Sequence, residues 1–398
     1  MVLEETDRLL ACDHCRVRLY LTTEQHFSYL LPPAEGVSGE IFFAPYWRFK
    51  GMVFSCQGNE VSNKVADTSY LASELKCLPI SLGVRPQALK LRFVSAQTPG
   101  SFLKTAVPLQ QVIATVQNCV HPTDLPNVPP SRCFHAFLGE TVSAIYAPYF
   151  LQGSILHDAV LQRPVCTLAE NGLKSLKVWS PPPEDRLRFI ATLCPHCGWD
   201  LKGDKDSLVL MCGNCDSAWQ ASASTLERVP FGTFPGGGAD TIYLPFWRIK
   251  APLKGIPLRS YADLIRMANL PKAIQREWEG IVFHFWSPAF KIRPRAFLQT
   301  ARAMTLAQPR EIQEGLLPKG NVYPVTFAVR EALEAIKVIL AHIAVAKQHL
   351  IPLLPQLRIG PPEILLCYFA FTARPNELIQ ERLRLSIDRS TVQLGRKL

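Results

Sequence analysis

The sequence predicts an α+β protein made of two diverged internal repeats of short aromatic strands with packing helices, the second opened by a four-cysteine element. Three observations carry that expectation. First, shifting the chain by two hundred positions superposes it on itself. Ile41-Phe42-Phe43-Ala44-Pro45-Tyr46-Trp47-Arg48-Phe49-Lys50-Gly51 then falls without a gap on Thr241-Ile242-Tyr243-Leu244-Pro245-Phe246-Trp247-Arg248-Ile249-Lys250-Ala251. Proline, tryptophan, arginine and lysine coincide, and the positions between them are mostly aromatic or aliphatic, which marks an internal duplication. Second, Cys194-x-x-Cys197 and Cys212-x-x-Cys215 stand fourteen residues apart, and Cys12-x-x-Cys15 falls on the later pair under the same shift. Third, the hydrophobic period changes from strand-like to helical near the C-terminus, so both element types are present.

Two Cys-x-x-Cys pairs at this separation can bring four thiolates to one tetrahedral Zn²⁺. Between them lie a polar turn, Lys202-Gly203-Asp204-Lys205-Asp206, and the apolar run Leu208-Val209-Leu210-Met211. That order is knuckle, strand, turn, strand, knuckle. Over about residues 193–219 the chain resembles the zinc-ribbon (rubredoxin-like) family. The resemblance implies a structural zinc and a small β-ribbon; it implies no activity, because ribbons serve in nucleic-acid-binding proteins, enzymes and adaptors alike. Cys194-Pro195-His196-Cys197 also reads as the tetrapeptide of a thiol oxidant. That chemistry needs a helix to follow and lower the first thiol's pKa, and Gly198-Trp199-Asp200-Leu201-Lys202-Gly203 is a poor helix former. The metal reading is preferred.

The predicted boundaries follow from the repeat. The first occupies 1–180 and the second 181–398, joined by the stiff segment Ser180-Pro181-Pro182-Pro183-Glu184-Asp185; the ribbon spans about 190–222. The shift places the partners of Cys194 and Cys197 before Met1. Either the first repeat has lost half of its ribbon or the start lies upstream.

Taking the elements in order, Ile41-Phe42-Phe43 and Ile242-Tyr243-Leu244 are apolar-aromatic runs entered from glycine-containing turns, which is strand chemistry. The proline after each cannot donate a ladder hydrogen bond, so an edge or bulge is expected there. In Trp-Arg-Phe/Ile-Lys, alternation puts Trp and Phe/Ile on one face and Arg and Lys on the other. This is either a buried aromatic strand with a solvated basic face, the preferred reading, or a cationic groove beside a tryptophan. Leu82-Gly83-Val84-Arg85-Pro86 resembles Phe290-Lys291-Ile292-Arg293-Pro294 at a shift of 208, and Ala144 to Phe150 is echoed by Leu365 to Phe371. Val329, Leu333, Ile336, Leu340 and Ile343 recur at helical spacing, predicting an amphipathic helix over about 325–350 stopped by Pro352. Shorter helices are expected over 260–267 and 272–278, and a fraying tail over 382–398.

Composition bounds the function. The 398 residues are 48% hydrophobic and 19% charged, as in globular chains, and 33 prolines argue for many turns. The acidic start Met1-Val2-Leu3-Glu4-Glu5 is wrong for a signal or transit peptide. The uncharged apolar run Val338–Ala346 is far shorter than the roughly 20 residues of a membrane span. Twelve cysteines, partly in Cys-x-x-Cys pairs, fit a reducing, cytoplasmic setting. The net charge of +10 is concentrated: residues 244–302 carry eleven Lys or Arg against three Asp or Glu.

The candidate sites are of unequal weight. Cys194, Cys197, Cys212 and Cys215 form the strong metal set, closed to substrate and therefore for folding. Cys12 and Cys15 are a half-site, completed by His14, His26 or another chain, or else free thiols left by a decayed ribbon. Cys119-Val120-His121 and Cys133-Phe134-His135, eleven residues apart, offer four zinc-ligand types at an unfamiliar spacing; buried thiols are the simpler reading. Arg248, Lys250, Lys291, Arg293 and Arg295, interleaved with Tyr261, Trp278, Phe285 and Trp286, can serve nucleic-acid binding, with Lys291, Arg293 and Arg295 forming a stripe if the segment is a strand. A solvated strand face, or a face for an acidic protein partner, explains the same residues. No phosphate loop, His-Glu-x-x-His or haem motif occurs. The expectation is a non-enzymatic zinc-ribbon binding or adaptor protein with a protein partner. The alternatives are nucleic-acid binding through 244–302 and an enzyme whose site leaves no linear trace.

Overall fold

The computed structural model describes residues 5–11, 17–23, 26–37, 39–94, 97–112, 133–168, 178–179, 187–222, 224–238 and 240–396. It is a mixed, strand-rich α+β structure with two large mixed sheets, one in each half.

In the first half the strand Ile41–Gln57 pairs antiparallel with Cys133–Gln152. Its other edge pairs parallel with Ser101–Leu103 at Phe42 and Phe43, then antiparallel with Glu60–Leu71 from Tyr46 onward. Phe27–Leu30 runs parallel along the far side of Cys133–Gln152. In the second half Thr241–Lys250 pairs antiparallel with Glu363–Ala373. Its other edge pairs parallel with Asn321–Val322 at Ile242 and Tyr243, then antiparallel with Phe285–Pro288 from Phe246 onward. Phe231–Phe234 runs parallel along the far side of Glu363–Ala373. The two descriptions are the same pattern.

Pro45 and Pro245 are not at edges, contrary to the sequence expectation. Each sits inside a central strand, at the gap where one neighbouring strand ends and the next begins. A residue without an N–H loses nothing where there is no acceptor. Its carbonyl is used: Ala72 N–H donates to Pro45 O at 2.9 Å, and Ala289 N–H to Pro245 O at 3.0 Å. Two residues on, Trp47 Nε1–H donates to Val107 O and Trp247 Nε1–H to Phe327 O, both at 2.8 Å. Burying an indole of this size contributes about 4–6 kcal/mol of transfer free energy, and the satisfied N–H avoids the cost of an unpaired donor. Pro45 lies opposite Tyr146 and Pro245 opposite Tyr368, so the 144–150 segment has its counterpart at a shift of 222, with Ala144 matching Leu366.

Tyr261–Ala268 is a helix as expected, fixed by a capping box between Ser260 and Asp263. The long helix is shorter than its pattern: Val329–Ile343 ends at Ala344, whose ψ of 133° is extended, well before Pro352. A separate turn, Lys347–Leu350, follows. Residues 272–278 do not form an α-helix; only a 3₁₀ turn, Arg276–Glu279, is present. The tail is packed instead of frayed, with a strand Leu385–Asp388 paired to Glu377–Gln380 and a helix Arg389–Gly395. Gly395 explains the fit: a Cβ there would lie 2.5 Å from Ile292 Cα and 2.7 Å from Lys291 O.

The halves share a core. Beyond an irregularity in pairing at Lys50–Gly51, the long hairpin of the first sheet carries Met52, Phe54 and Leu138 into the cluster that contains Phe297, Ile336 and Leu340. Phe54 and Phe297 have ring centroids 6.3 Å apart.

Candidate metal centre and the basic residues

The four cysteines lie on and beside a small three-stranded antiparallel sheet. Val209–Cys212 pairs with Ser217–Ala221, which pairs in turn with Leu226–Val229. The first knuckle leaves the strand Arg188–Ala191 and closes with Gly198 N–H to Cys194 O at 2.8 Å and Cys194 N–H to Trp199 O at 2.7 Å. A knuckle must reverse directly after its second cysteine. Gly198 does so at φ 72°, and Asp216, at the same place in the second knuckle, at φ 47°.

The four sulfurs lie within 4.8 Å of one another, and no other group of three or more potential ligands occurs among the described residues. Cys194 Sγ is 3.6 Å from Cys215 Sγ, and Cys197 Sγ is 3.4 Å from Cys212 Sγ. A disulfide needs about 2.05 Å. A tetrahedral Zn²⁺ with bonds of about 2.3 Å spaces its sulfurs about 3.8 Å apart, so the observed set fits an ion of that size.

The surroundings fit as well. Burial alone would raise the Cys194 pKa, but the amides of Cys197 and His196 and the Ser217 hydroxyl outweigh it and bring it down to about 6. The Cys197 thiol is lowered by Asn214 and by the amide of Trp199. The Ser217 hydroxyl lowers Cys215, yet burial and the three neighbouring cysteines push it up to about 12. A cation among them would offset the mutual repulsion of neighbouring thiolates. Ser217 is 1% exposed, lies 3.1 Å from Cys215 Sγ and accepts from Trp219 Nε1 at 2.8 Å. Ser217 was missed from sequence; a lone serine two residues after a ligand cysteine, beside a tryptophan, is its only trace.

The N-terminal hairpin has the same register as the cysteine-bearing one. Leu9–Ala11 pairs with Arg18–Thr22, Leu9 opposite Tyr20, as Val209 lies opposite Gln220. Its third strand is Arg188–Ala191, the one that leads into the first knuckle. Both elements share one small core of Leu9, Tyr20, Leu201, Leu210, Cys212 and Trp219. Cys12, His14 and Cys15 lie outside the described residues. So do Cys119 and His121, and the 180–185 linker. Cys133 and His135 fall on one face of their strand, opposite Gln57 and Ser55. His26 packs edge-on to Trp47 at 4.5 Å.

The basic residues divide. The aromatic face of each Trp strand is buried as expected: Trp47 4%, Phe49 0%, Trp247 1% and Ile249 0% exposed. Arg48, expected in solvent, is 3% exposed. It forks onto Asp67 with two 2.8 Å bonds and reaches Glu5 at 2.7 Å; Glu5 also accepts from Ser143 at 2.8 Å. Arg248 pairs with Glu314 at 3.1 Å and Lys250 with Glu363 at 2.8 Å, both at the surface. Lys291, Arg293 and Arg295 form no strand stripe. Pro294 starts the helix Pro294–Ala307, with Arg293 at its N-cap, as Pro86 lies in the first turn of Arg85–Ala88. An Arg-Pro step with fixed φ favours a helix start over strand alternation.

A cavity of about 470 Å³ opens beside Thr241–Lys250 and includes Asp240, Asn321, Tyr323 and Arg389 in its walls. No helix among the described residues is long and apolar enough to cross a membrane. Comparison with protein-family models, with curated proteins and with solved structures found no match.

Proposed function

We propose that this is a non-enzymatic binding or adaptor protein of two duplicated halves, in which one structural Zn²⁺ fixes a zinc ribbon that presents a protein-docking surface. The closed four-sulfur cluster carries the reading. Its ligands fill a tetrahedral shell, leave no position for substrate, and hold the only group of that kind among the described residues. The duplication accounts for the shared strand order, the matching Pro and Trp contacts and the hairpin at the N-terminus. Around the first knuckle Phe189, Leu193 and Trp199 are 55%, 51% and 57% exposed. Large apolar side chains beside a rigid metal-held turn are what a protein partner buries.

The test is elemental analysis of protein purified without added metal, alongside Cys212→Ser. The reading requires about one zinc per chain in the native protein and its loss, with a lower Tm, in the variant. A metal-free native chain with a Cys194–Cys197 disulfide would refute it. The nucleic-acid alternative has Arg248 and Lys250 already neutralised by carboxylates. It would be revived by binding to DNA or RNA that weakens steeply with salt, since phosphate contacts release counterions.

A further inference from the structure

We infer that Cys77 and Cys166 are a modification site of the first half: two thiols that the fold brings together and that close to a disulfide by exchange with a low-molecular-weight disulfide such as oxidised glutathione. They stand 89 positions apart, in no motif, and neither belongs to the four-cysteine cluster. Both are free and half-buried. Both pack against one core, which contains Tyr46, Leu78, Leu82, Tyr149 and Leu156. Their side chains are hydrogen-bonded to each other.

The segments that present the pair are braced. Cys77 lies on the turn between Glu60–Leu71 and Arg85–Ala88. That turn is pinned on both sides of it: Leu78 N–H donates to Leu75 O at 3.1 Å, the Tyr46 hydroxyl to Pro79 O at 3.0 Å, and Leu71 N–H to Ile80 O at 2.8 Å. Cys166 lies on Arg163–Thr167, which pairs antiparallel with Ile155–Asp158. The pairing is irregular between Pro164 and Cys166, and Val165 and Cys166 both pack on the core although they are consecutive. Strict alternation would send one of the two to the other face, and a bulge re-aims side chains in this way. An ion pair joins the same two segments a second time, from Arg85 to Asp158, whose side chains are 12% and 2% exposed. Arg85 Nε–H also donates to Leu82 O at 2.7 Å, and Asp158 accepts from the amides of Val160 and Leu161 at 2.9 and 3.0 Å.

The pair is asymmetric. Burial, the hydrogen bond to Cys77 and the charge of Cys77 push the Cys166 thiol up to about 12. Cys166 therefore keeps its proton, and Cys77 is the sulfur that reacts first. Its thiolate attacks one sulfur of oxidised glutathione; a mixed disulfide forms, the glutathione S–S bond breaks, and a glutathione thiolate leaves. Cys166 then loses its proton to that thiolate and attacks Cys77 Sγ. The protein disulfide forms and the second glutathione leaves as a thiolate. Two protein thiols are oxidised by two electrons in all, and one glutathione disulfide is reduced. Under a reducing poise the pair stays open; a rise in disulfide closes it and staples the turn at Cys77 to the hairpin at Cys166.

The experiment equilibrates the full metal-loaded protein with reduced and oxidised glutathione at varied ratio, blocks the remaining thiols, and maps the peptides by mass spectrometry. A peptide joining Cys77 to Cys166 should grow with the oxidised fraction and vanish on adding dithiothreitol. The oxidised protein should unfold about 5–10 °C above the reduced one, as closing a long loop implies, and Cys77→Ala and Cys166→Ala should show no such difference. Cys166→Ser should trap glutathione on Cys77, whereas Cys77→Ser should leave Cys166 unmodified. Each variant's Tm under reducing conditions is measured to show that it is folded. Absence of the joined peptide at the most oxidising ratio, a joined peptide linking either cysteine to a different partner, or an equal glutathione adduct on Cys166 in folded Cys77→Ser would overturn the proposal.

Discussion

Arg48 and Arg248 occupy matching positions, and the structure predicts that replacing them has unequal consequences. Arg48→Met removes the partner of two carboxylates at once. The side chains of Arg48, Glu5 and Asp67 are only 4%, 11% and 17% exposed, so two negative charges remain close together with little water to take them. Breaking a buried pair in this way costs about 3–5 kcal/mol. Arg248→Met removes one 3.1 Å contact from a guanidinium that is 23% exposed to a carboxylate that is 62% exposed. Surface pairs of that kind contribute about 0–1 kcal/mol. Urea unfolding of both variants should therefore separate them by at least about 2 kcal/mol. Hydrogen exchange over Ile41–Gln57 locates the loss if unfolding has more than one step. A third variant sharpens the test: Glu5→Gln, Arg48→Met and Asp67→Asn together should recover most of the stability, because the cost lies in uncompensated charge. Equal losses in the single variants, or a triple variant as weak as Arg48→Met, would refute the reasoning.

Tyr368 is fully buried, and its hydroxyl has no hydrogen-bond partner among the described residues. Tyr368→Phe should raise stability by up to about 1–3 kcal/mol, whereas Tyr46→Phe, which loses a 2.9 Å bond to Tyr149, should lower it; urea melts give both signs. Gly395→Ala should undock the last helix by about 1–3 kcal/mol of overpacking, read as faster proteolysis of the C-terminus. Burial, with Arg248 and Lys250, lowers the His284 pKa from 6.5 to about 4. The unfolded state then binds more protons across that window, so its contribution is complete above pH 6.5 and is lost as pH falls toward 4. His284→Gln should flatten the stability slope there.

What could be read from the sequence depended on how local the cause was. The clustering of Cys194, Cys197, Cys212 and Cys215 was legible because two Cys-x-x-Cys pairs at fixed spacing leave few arrangements, and the Trp strands because their residues recur at a shift of 200. The helix Tyr261–Ala268 was expected over 260–267, and the structure adds the capping box that fixes its start. The causes that were missed act at a distance. Arg48 looks like any basic residue on an alternating strand, and only the fold brings Glu5 and Asp67 over it. Pro45 and Pro245 read as edge signals because one of the two strands that meet beside each comes from far along the chain, Ser101–Leu103 for Pro45 and Asn321–Val322 for Pro245. Lys291, Arg293 and Arg295 alternate as strand residues would, yet Pro294 between them starts a helix. The tail looked too polar to pack; Gly395 allows its helix to approach the backbone at Ile292.

Zinc-edge X-ray absorption of the purified protein tests the central claim most directly. The account predicts about one zinc per chain bound by four sulfurs at about 2.3 Å, with the signal lost in Cys212→Ser. A shell containing nitrogen or oxygen in place of sulfur, or a chain without zinc whose cysteines are oxidised, would contradict it.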